Sequence, residues 1–158
     1  MKAIIPVAGA GTQLRPLTYT QPKPLIAVAG KPILSFIIDR LLSLGVEDFV
    51  FIIGYLGEKI KDYIETSYPS LRRQFVSQEQ RIGTGHAIWT ARETIKDASE
   101  LVIFFGDTIV EMDFEKMIDS PVSCLAVKKV AEPRNFGVVE FDQQKKRVKR
   151  VVEKPKIP

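Results

Sequence analysis

Short, wholly apolar runs alternate with segments of helical spacing along most of this chain, and no other feature restricts its fold as much. Residues 2–7 read as a buried strand. Behind Pro32, the residues Ile33, Leu34, Ile37, Ile38, Leu41, Leu42 and Leu44 recur at helical spacing until Gly45 stops them. Residues 46–53 form the next apolar run, and Gly54-Tyr55-Leu56-Gly57 turns the chain into a short amphipathic helix, 58–68, carried by Ile60, Tyr63 and Ile64. A brief strand at Phe75-Val76, a polar loop over 78–85 and a helix over 86–95 follow. Residues 101–105 are a strand ending on Gly106-Asp107. Further on, the pattern predicts a helical turn over 114–119, a strand over 122–130, and a hairpin from 138–141 with 148–152. Strands alternating with helices imply the α/β class: a Rossmann-like, mostly parallel sheet with flanking helices and a C-terminal hairpin. No repeat, linker or low-complexity segment interrupts residues 1–158, so a single domain is expected.

Composition excludes several function classes. The apolar runs 50–53 and 101–105 are too short to span a bilayer, and the first apolar run stops at Gly9 without a cleavage-like sequel. The single cysteine, Cys124, cannot form an internal disulfide and suits a reducing compartment, so a cytoplasmic setting is expected. Its apolar surroundings, 122–127, predict an inert buried thiol. The net charge of +4 is concentrated late: Lys145, Lys146, Arg147, Lys149 and Arg150 cluster after Asp142-Gln143-Gln144. Without interleaved aromatics, that cluster reads as a solvated hairpin rather than a nucleic-acid surface. Neither nucleic acid nor a membrane is an expected partner. An exposed strand edge would leave self-association as a homo-oligomer open.

The chemistry concentrates at three predicted strand ends, where ligands of open α/β sheets bind. The first is the loop of residues 8–12, containing Gly9 and Gly11 and followed by Arg15, Lys23 and Lys31. The first 38 residues contain no Asp or Glu, although the chain has 19. Backbone N–H groups in such a loop can approach a phosphate that nothing repels, although a tight turn in a basic loop fits the same residues. The loop is neither a dinucleotide fingerprint, lacking the third glycine and the later acid, nor a P-loop, lacking Gly-Lys-Ser/Thr. The second end is 78–84, where Gln78 offers an acceptor and two donors suited to a nucleobase edge, or is simply an exposed loop residue. The third is Asp107, placed to hold Mg²⁺ or to cap a turn. His86 is the one histidine, and a structural role in a first helical turn is its expected part. One His and one Cys do not supply a zinc site or a His-dependent nucleophilic triad.

Taken together, four blocks resemble the sugar-1-phosphate nucleotidyltransferases. GAGTQLRPLTYTQPKPLIAVAGKPIL is similar to their opening signature, and QEQRIGTGHAI to their nucleobase segment, especially in N-acetylglucosamine-1-phosphate uridylyltransferases; thymidylyltransferases acting on glucose-1-phosphate belong to the same group. FFGDTIV is similar to the metal-carboxylate strand end, and NFGVVEFD with VVEKP to the sugar-facing segments. The resemblance implies that Ala8, Gly9, Gly11, Thr12 and Gln13 hold the nucleotide. It implies that Lys23 meets the phosphates, that Gln78 reads the base, and that Gly83 and Thr84 pack against it. Asp107 would bind Mg²⁺, Gly137 and Glu153 would face the sugar, and Lys154 the sugar phosphate, with Lys23, Asp107 and Lys154 as the catalytic set. The implied partners are a nucleoside triphosphate, UTP or dTTP by preference, and a sugar-1-phosphate.

Three positions depart from that pattern. Gln13 stands where the family has an arginine, so the triphosphate would lose a charged, bidentate partner. Pro6-Val7 replaces a usual Leu-Ala and adds bulk near the base. The chain stops at Pro158, where family members continue with further sugar contacts and a second metal carboxylate, so an N-terminal portion is expected. The residues leave two readings: a Mg²⁺-dependent sugar-1-phosphate nucleotidyltransferase, or a catalytically weak, nucleotide-sensing regulatory subunit of the same fold.

Overall fold

The computed structural model describes residues 1–80, 82–142 and 147–155. The basic residues Lys145 and Lys146, the turn residues Gln143 and Gln144, Arg81 of the polar loop, and Pro158 lie outside the described residues. Internal contacts divide the chain into two units, 1–114 and 115–158.

The first unit is a four-stranded parallel sheet. Its strands are β1 (Lys2–Pro6), β4 (Asp48–Ile53), β5 (Arg72–Ser77) and β6 (Leu101–Ile103), in the order β5-β4-β1-β6. Between β1 and β4 lie a two-residue hairpin, β2 (Ala27–Val28) with β3 (Lys31–Pro32), and helix α1 (Ile33–Ser43). Helix α2 (Gly57–Ser67) links β4 to β5, and α3 (Thr84–Thr90) with α4 (Arg92–Ile95) links β5 to β6. β1 is covered on both faces, which is why it reads as a continuous apolar run: Ala3, Ile4 and Ile5 are fully buried. Ala3, Ile5, Phe49 and Phe51 face α1 and α2, which contribute Leu34, Ile37, Ile38, Ile60 and Ile64. Ile4, Val50 and Ile52 face the small side chains Ala87 and Ala91.

Helix α1 ends as its glycine predicts. Gly45 adopts φ +77, its N–H bonds the Leu42 carbonyl and the Val46 N–H bonds that of Leu41, closing a Schellman motif. Tyr68, just past α2, donates to Asp39 at 2.9 Å. Burial is the main influence pushing this phenol up to about 12, so it remains a donor.

Two predicted elements and one predicted burial need correction. The helix expected over 86–95 begins at Thr84 and breaks at Ala91, where Thr90 Oγ1 donates to the Ala87 carbonyl at 2.6 Å and the Ala91 N–H reaches back only to Ile88. The strand expected over 122–130 has no ladder partner among the described residues, and Val122, Leu125 and Val127 are more than half exposed. Apolar sequence makes a strand only where another strand accepts its hydrogen bonds. Within that segment Cys124 is exposed rather than buried, its thiol contacting the Val122 carbonyl at 3.4 Å.

The second unit contains α5 (Glu115–Ile118) and an antiparallel hairpin of β7 (Gly137–Asp142) with β8 (Arg147–Glu153), pairing Gly137 with Glu153 and bulged near Glu140-Phe141. Arg150 bonds Glu140 across the hairpin at 2.6 Å. Among the described residues no helix is long and apolar enough to cross a membrane.

Candidate functional site

The carboxyl ends of β1, β4 and β6 are stitched together by backbone contacts that two glycines permit. The Val7 N–H donates to the Ile52 carbonyl at 2.8 Å, and the Tyr55 N–H to that of Ala8 at 3.2 Å, so the exit of β1 leans over the end of β4. A Cβ at Gly54 would lie 2.9 Å from Ala8 Cβ and 3.0 Å from its carbonyl oxygen. On the other side, a Cβ at Gly106 would collide with Val7 and lie 3.1 Å from the Pro6 oxygen. The Phe104 and Gly106 N–H groups continue the bonding of β6 to Ile4 and Pro6, which sets Asp107 beside the loop. The sequence marks Gly54 only as a turn residue and Gly106 only as a strand end, because their close approach joins strands distant in sequence.

This arrangement encloses a cleft of about 400 Å³. Ala8, Gly9, Gly11, Thr12 and Gln13 line one side, with Lys23, Gln78, Gly83, Thr84 and Asp107 around the rest. Every site residue expected from the first 114 residues therefore borders one cavity. Pro6, Val7, Leu14, Ala87 and Phe105 give it an apolar component. No serine, cysteine or histidine occurs among the described lining residues.

The glycine loop is tied down from behind. Gly11 adopts φ +60, and its carbonyl accepts from Thr18 Oγ1 at 2.9 Å and from the Leu14 N–H at 2.9 Å. A Cβ there would lie 2.9 Å from Thr18 Cγ2 and 3.1 Å from Lys23 Cβ, so glycine brings the loop against the lysine stem. Thr18 is 1% exposed and is a positioning residue that the sequence reading passed over.

Of the three opening cations, Lys23 is the one that lines the cleft. Its Nζ is 2.7 Å from Asp107 Oδ2. Arg15 instead stacks over the Tyr19 ring, 5.2 Å from its centroid, and Lys31 pairs with Asp39. Partial burial of Asp107 opposes its ionisation, but the Lys23 hydrogen bond and charge, with Thr108 Oγ1 at 3.1 Å, outweigh it and hold the carboxyl below its ordinary value.

Gln78 follows β5 and is 6% exposed, not a solvated loop residue. Its Nε2 lies 3.2 Å from the Gly83 carbonyl and 3.0 Å from His86 Nδ1. His86 thus stands in the first turns of α3, as expected, with the further task of contacting Gln78.

The remaining expected residues belong to the second unit and share one end of its hairpin. Gly137 pairs with Glu153, whose Oε2 would sit 3.2 Å from a Cβ at 137. The Lys154 N–H donates to the Phe136 carbonyl at 3.0 Å, with Lys154 itself at φ +43.

Comparison with known proteins agrees with this architecture. The sequence model of the family described as Nucleotidyl transferase matches residues 2–158. The chain is 40% identical over 156 residues to the bifunctional protein GlmU of Methanococcus maripaludis (strain C5), covering 99% of this chain and 36% of that protein. It is 32% identical over 165 residues to mannose-1-phosphate guanyltransferase beta-B of Xenopus laevis, covering 99% and 46%. The structure of a UDP-glucose pyrophosphorylase complexed with UDP-glucose superposes with a TM-score of 0.77 at 25% identity, over 98% of this chain and 68% of that one. The chain spans about a third to a half of the length of these curated relatives.

Proposed function

This chain belongs to the nucleotidyl transferase family, and from that premise we propose that it serves the transfer of a nucleotidyl group from a nucleoside triphosphate to a sugar-1-phosphate. A phosphate oxygen of the sugar-1-phosphate attacks the α-phosphorus, the bond from that phosphorus to the bridging oxygen breaks, and pyrophosphate leaves with a nucleotide sugar formed. The observation that carries this reading is the convergence of an acid-free glycine loop, one ammonium, one ionised carboxylate and one buried amide on a single cleft. The described lining has no thiol or imidazole for covalent catalysis, which suits chemistry done by positioning and charge neutralisation.

The residues have separable roles in this reading. Backbone N–H groups of the loop around Gly9 and Gly11 receive the phosphates. Lys23 has three N–H donors and uses one on Asp107, leaving two for phosphate oxygens. Asp107 fits Mg²⁺ by its donor chemistry: it is ionised, it borders the cleft, and this ion takes one or two carboxylates with water and phosphate completing the shell. The ion would supply neutralisation of phosphate charge. Gly83 and Thr84 flank the base, while Gly137 and Glu153 would face the sugar and Lys154 its phosphate. UTP or dTTP is favoured, because a glutamine can pair with a uracil or thymine edge and its segment resembles that of uridylyltransferases. The single cysteine suits a reducing, cytoplasmic setting.

The test is pyrophosphate release and triphosphate binding by this chain with UTP, dTTP, CTP, GTP and ATP, each against N-acetylglucosamine-1-phosphate, glucose-1-phosphate and mannose-1-phosphate. Nucleotide-sugar formation with one pairing is expected. Binding without turnover in every pairing would favour the regulatory reading, and no binding at all would end both.

A further inference from the structure

We infer that His86, which does not line the cleft, sharpens which bases the cleft accepts by holding the Gln78 amide in one orientation together with the Gly83 carbonyl. The Gly83 oxygen is a carbonyl and can only accept, so the Gln78 atom 3.2 Å from it must be the amide nitrogen. That same nitrogen is 3.0 Å from His86 Nδ1. An amide NH₂ has no acceptor capacity, so Nδ1 must accept, and the imidazole proton must sit on Nε2. Both N–H groups of Gln78 are then committed within the protein, and Oε1 is what remains for a ligand.

The anchors of this arrangement are firm. The Gln78 N–H bonds the Ile53 carbonyl at 2.8 Å, and the side chain is almost fully buried. Gly83, at φ +112, also accepts the Ala87 N–H at 3.1 Å, which ties its carbonyl to the start of α3. An acceptor aimed at the cleft selects a base with a ring N–H, as in uracil, thymine or guanine. Cytosine and adenine carry an unprotonated ring nitrogen at that position, which would meet Oε1 lone pair to lone pair, and could bond it only through the exocyclic amino group with the base shifted along its edge. Without His86 one N–H of Gln78 loses its partner and only the Gly83 carbonyl is left to hold the amide, so its acceptor is less firmly aimed at the base. His86 is therefore a positioning residue for specificity.

This inference rests on the proposal that a nucleobase lies against Gln78, and two measurements on the full chain separate them. Imidazole ¹⁵N NMR is expected to show the Nε2-protonated tautomer of His86; an Nδ1-protonated ring would overturn the inference whatever the ligand. Calorimetric titration with UTP and CTP, which match in size, is expected to show wild-type preference for UTP. His86→Leu is expected to shrink that preference about tenfold, the scale of one unsatisfied hydrogen-bonding group. His86→Asn, whose Oδ1 can take the place of Nδ1, is expected to restore it, and GTP against ATP repeats the comparison for purines. Undiminished discrimination in His86→Leu overturns the inference and leaves the proposed function standing. Failure of every triphosphate to bind the wild type overturns both.

Discussion

Lys23 and Asp107, 84 residues apart, meet at 2.7 Å in the candidate cleft. The pair joins the loop after β1 to the end of β6, and it places the cation and the carboxylate proposed for catalysis in direct contact. Its energy is modest, because the side chains are 27% and 45% exposed and solvent screens them.

Lowering the pH should weaken the wild type more than Lys23→Met. Asp107 is held below its ordinary value when folded, so the unfolded chain takes up its proton first. The stabilisation from the pair is complete at neutral pH and is lost as pH falls from the ordinary carboxylate range through the folded value. Urea midpoints of both proteins at pH 7 and pH 3 should converge toward acid, with a neutral-pH difference under about 1 kcal/mol after screening. A gap that widens toward acid would contradict this assignment.

Asp107→Asn should bind a triphosphate yet lose the dependence of turnover on Mg²⁺, because a neutral amide is a poor ligand for that ion. Initial rates across a magnesium series, with melting temperature as the control for folding, check this. Unaltered rates with a wild-type melting temperature would remove Asp107 from the metal role.

Gln13→Arg should raise turnover on the order of 10–10²-fold by returning a charged donor to a position that lines the cleft. Arg15 does not fill that place, since its guanidinium lies over Tyr19. The gain should shrink at high salt. A variant with wild-type rates throughout the salt series would show that residue 13 does not meet the developing charge.

Gly54→Ala should destabilise the protein by about 1–3 kcal/mol, as for other insertions into packed sites, and weaken triphosphate binding with it. The added methyl would press on Ala8, and the exit of β1 cannot yield without moving the glycine loop. Denaturation midpoints and titrations of the same preparation measure both effects. Wild-type values in both would mean the strand exit has slack.

Much of the site was legible because its signals are local. A strand that empties into a glycine loop, an acid-free opening, and a carboxylate at a strand end are each written in a few consecutive residues. The helix α1 and its stop at Gly45 were legible for the same reason, since spacing and a left-handed cap are short-range properties. Residues 122–130 resemble a strand in their apolar character alone, while a strand also needs a partner that no local pattern supplies. The buried thiol expected at Cys124 failed with it.

The sequence by itself determined the alternation of strands and helices, the phosphate-suited loop, and the identities of Lys23, Gln78 and Asp107 as candidates. Only the tertiary structure decided that Lys23 faces Asp107 while Arg15 and Lys31 turn elsewhere, and that Gln78 is held by His86 with its acceptor left over. It also assigned Gly54, Gly106 and Thr18 their task of clamping the loop that opens the chain. The physical reason is that strand order and side-chain partners are set by packing among segments tens of residues apart. A glycine required by such an approach carries no mark of it in its own neighbourhood.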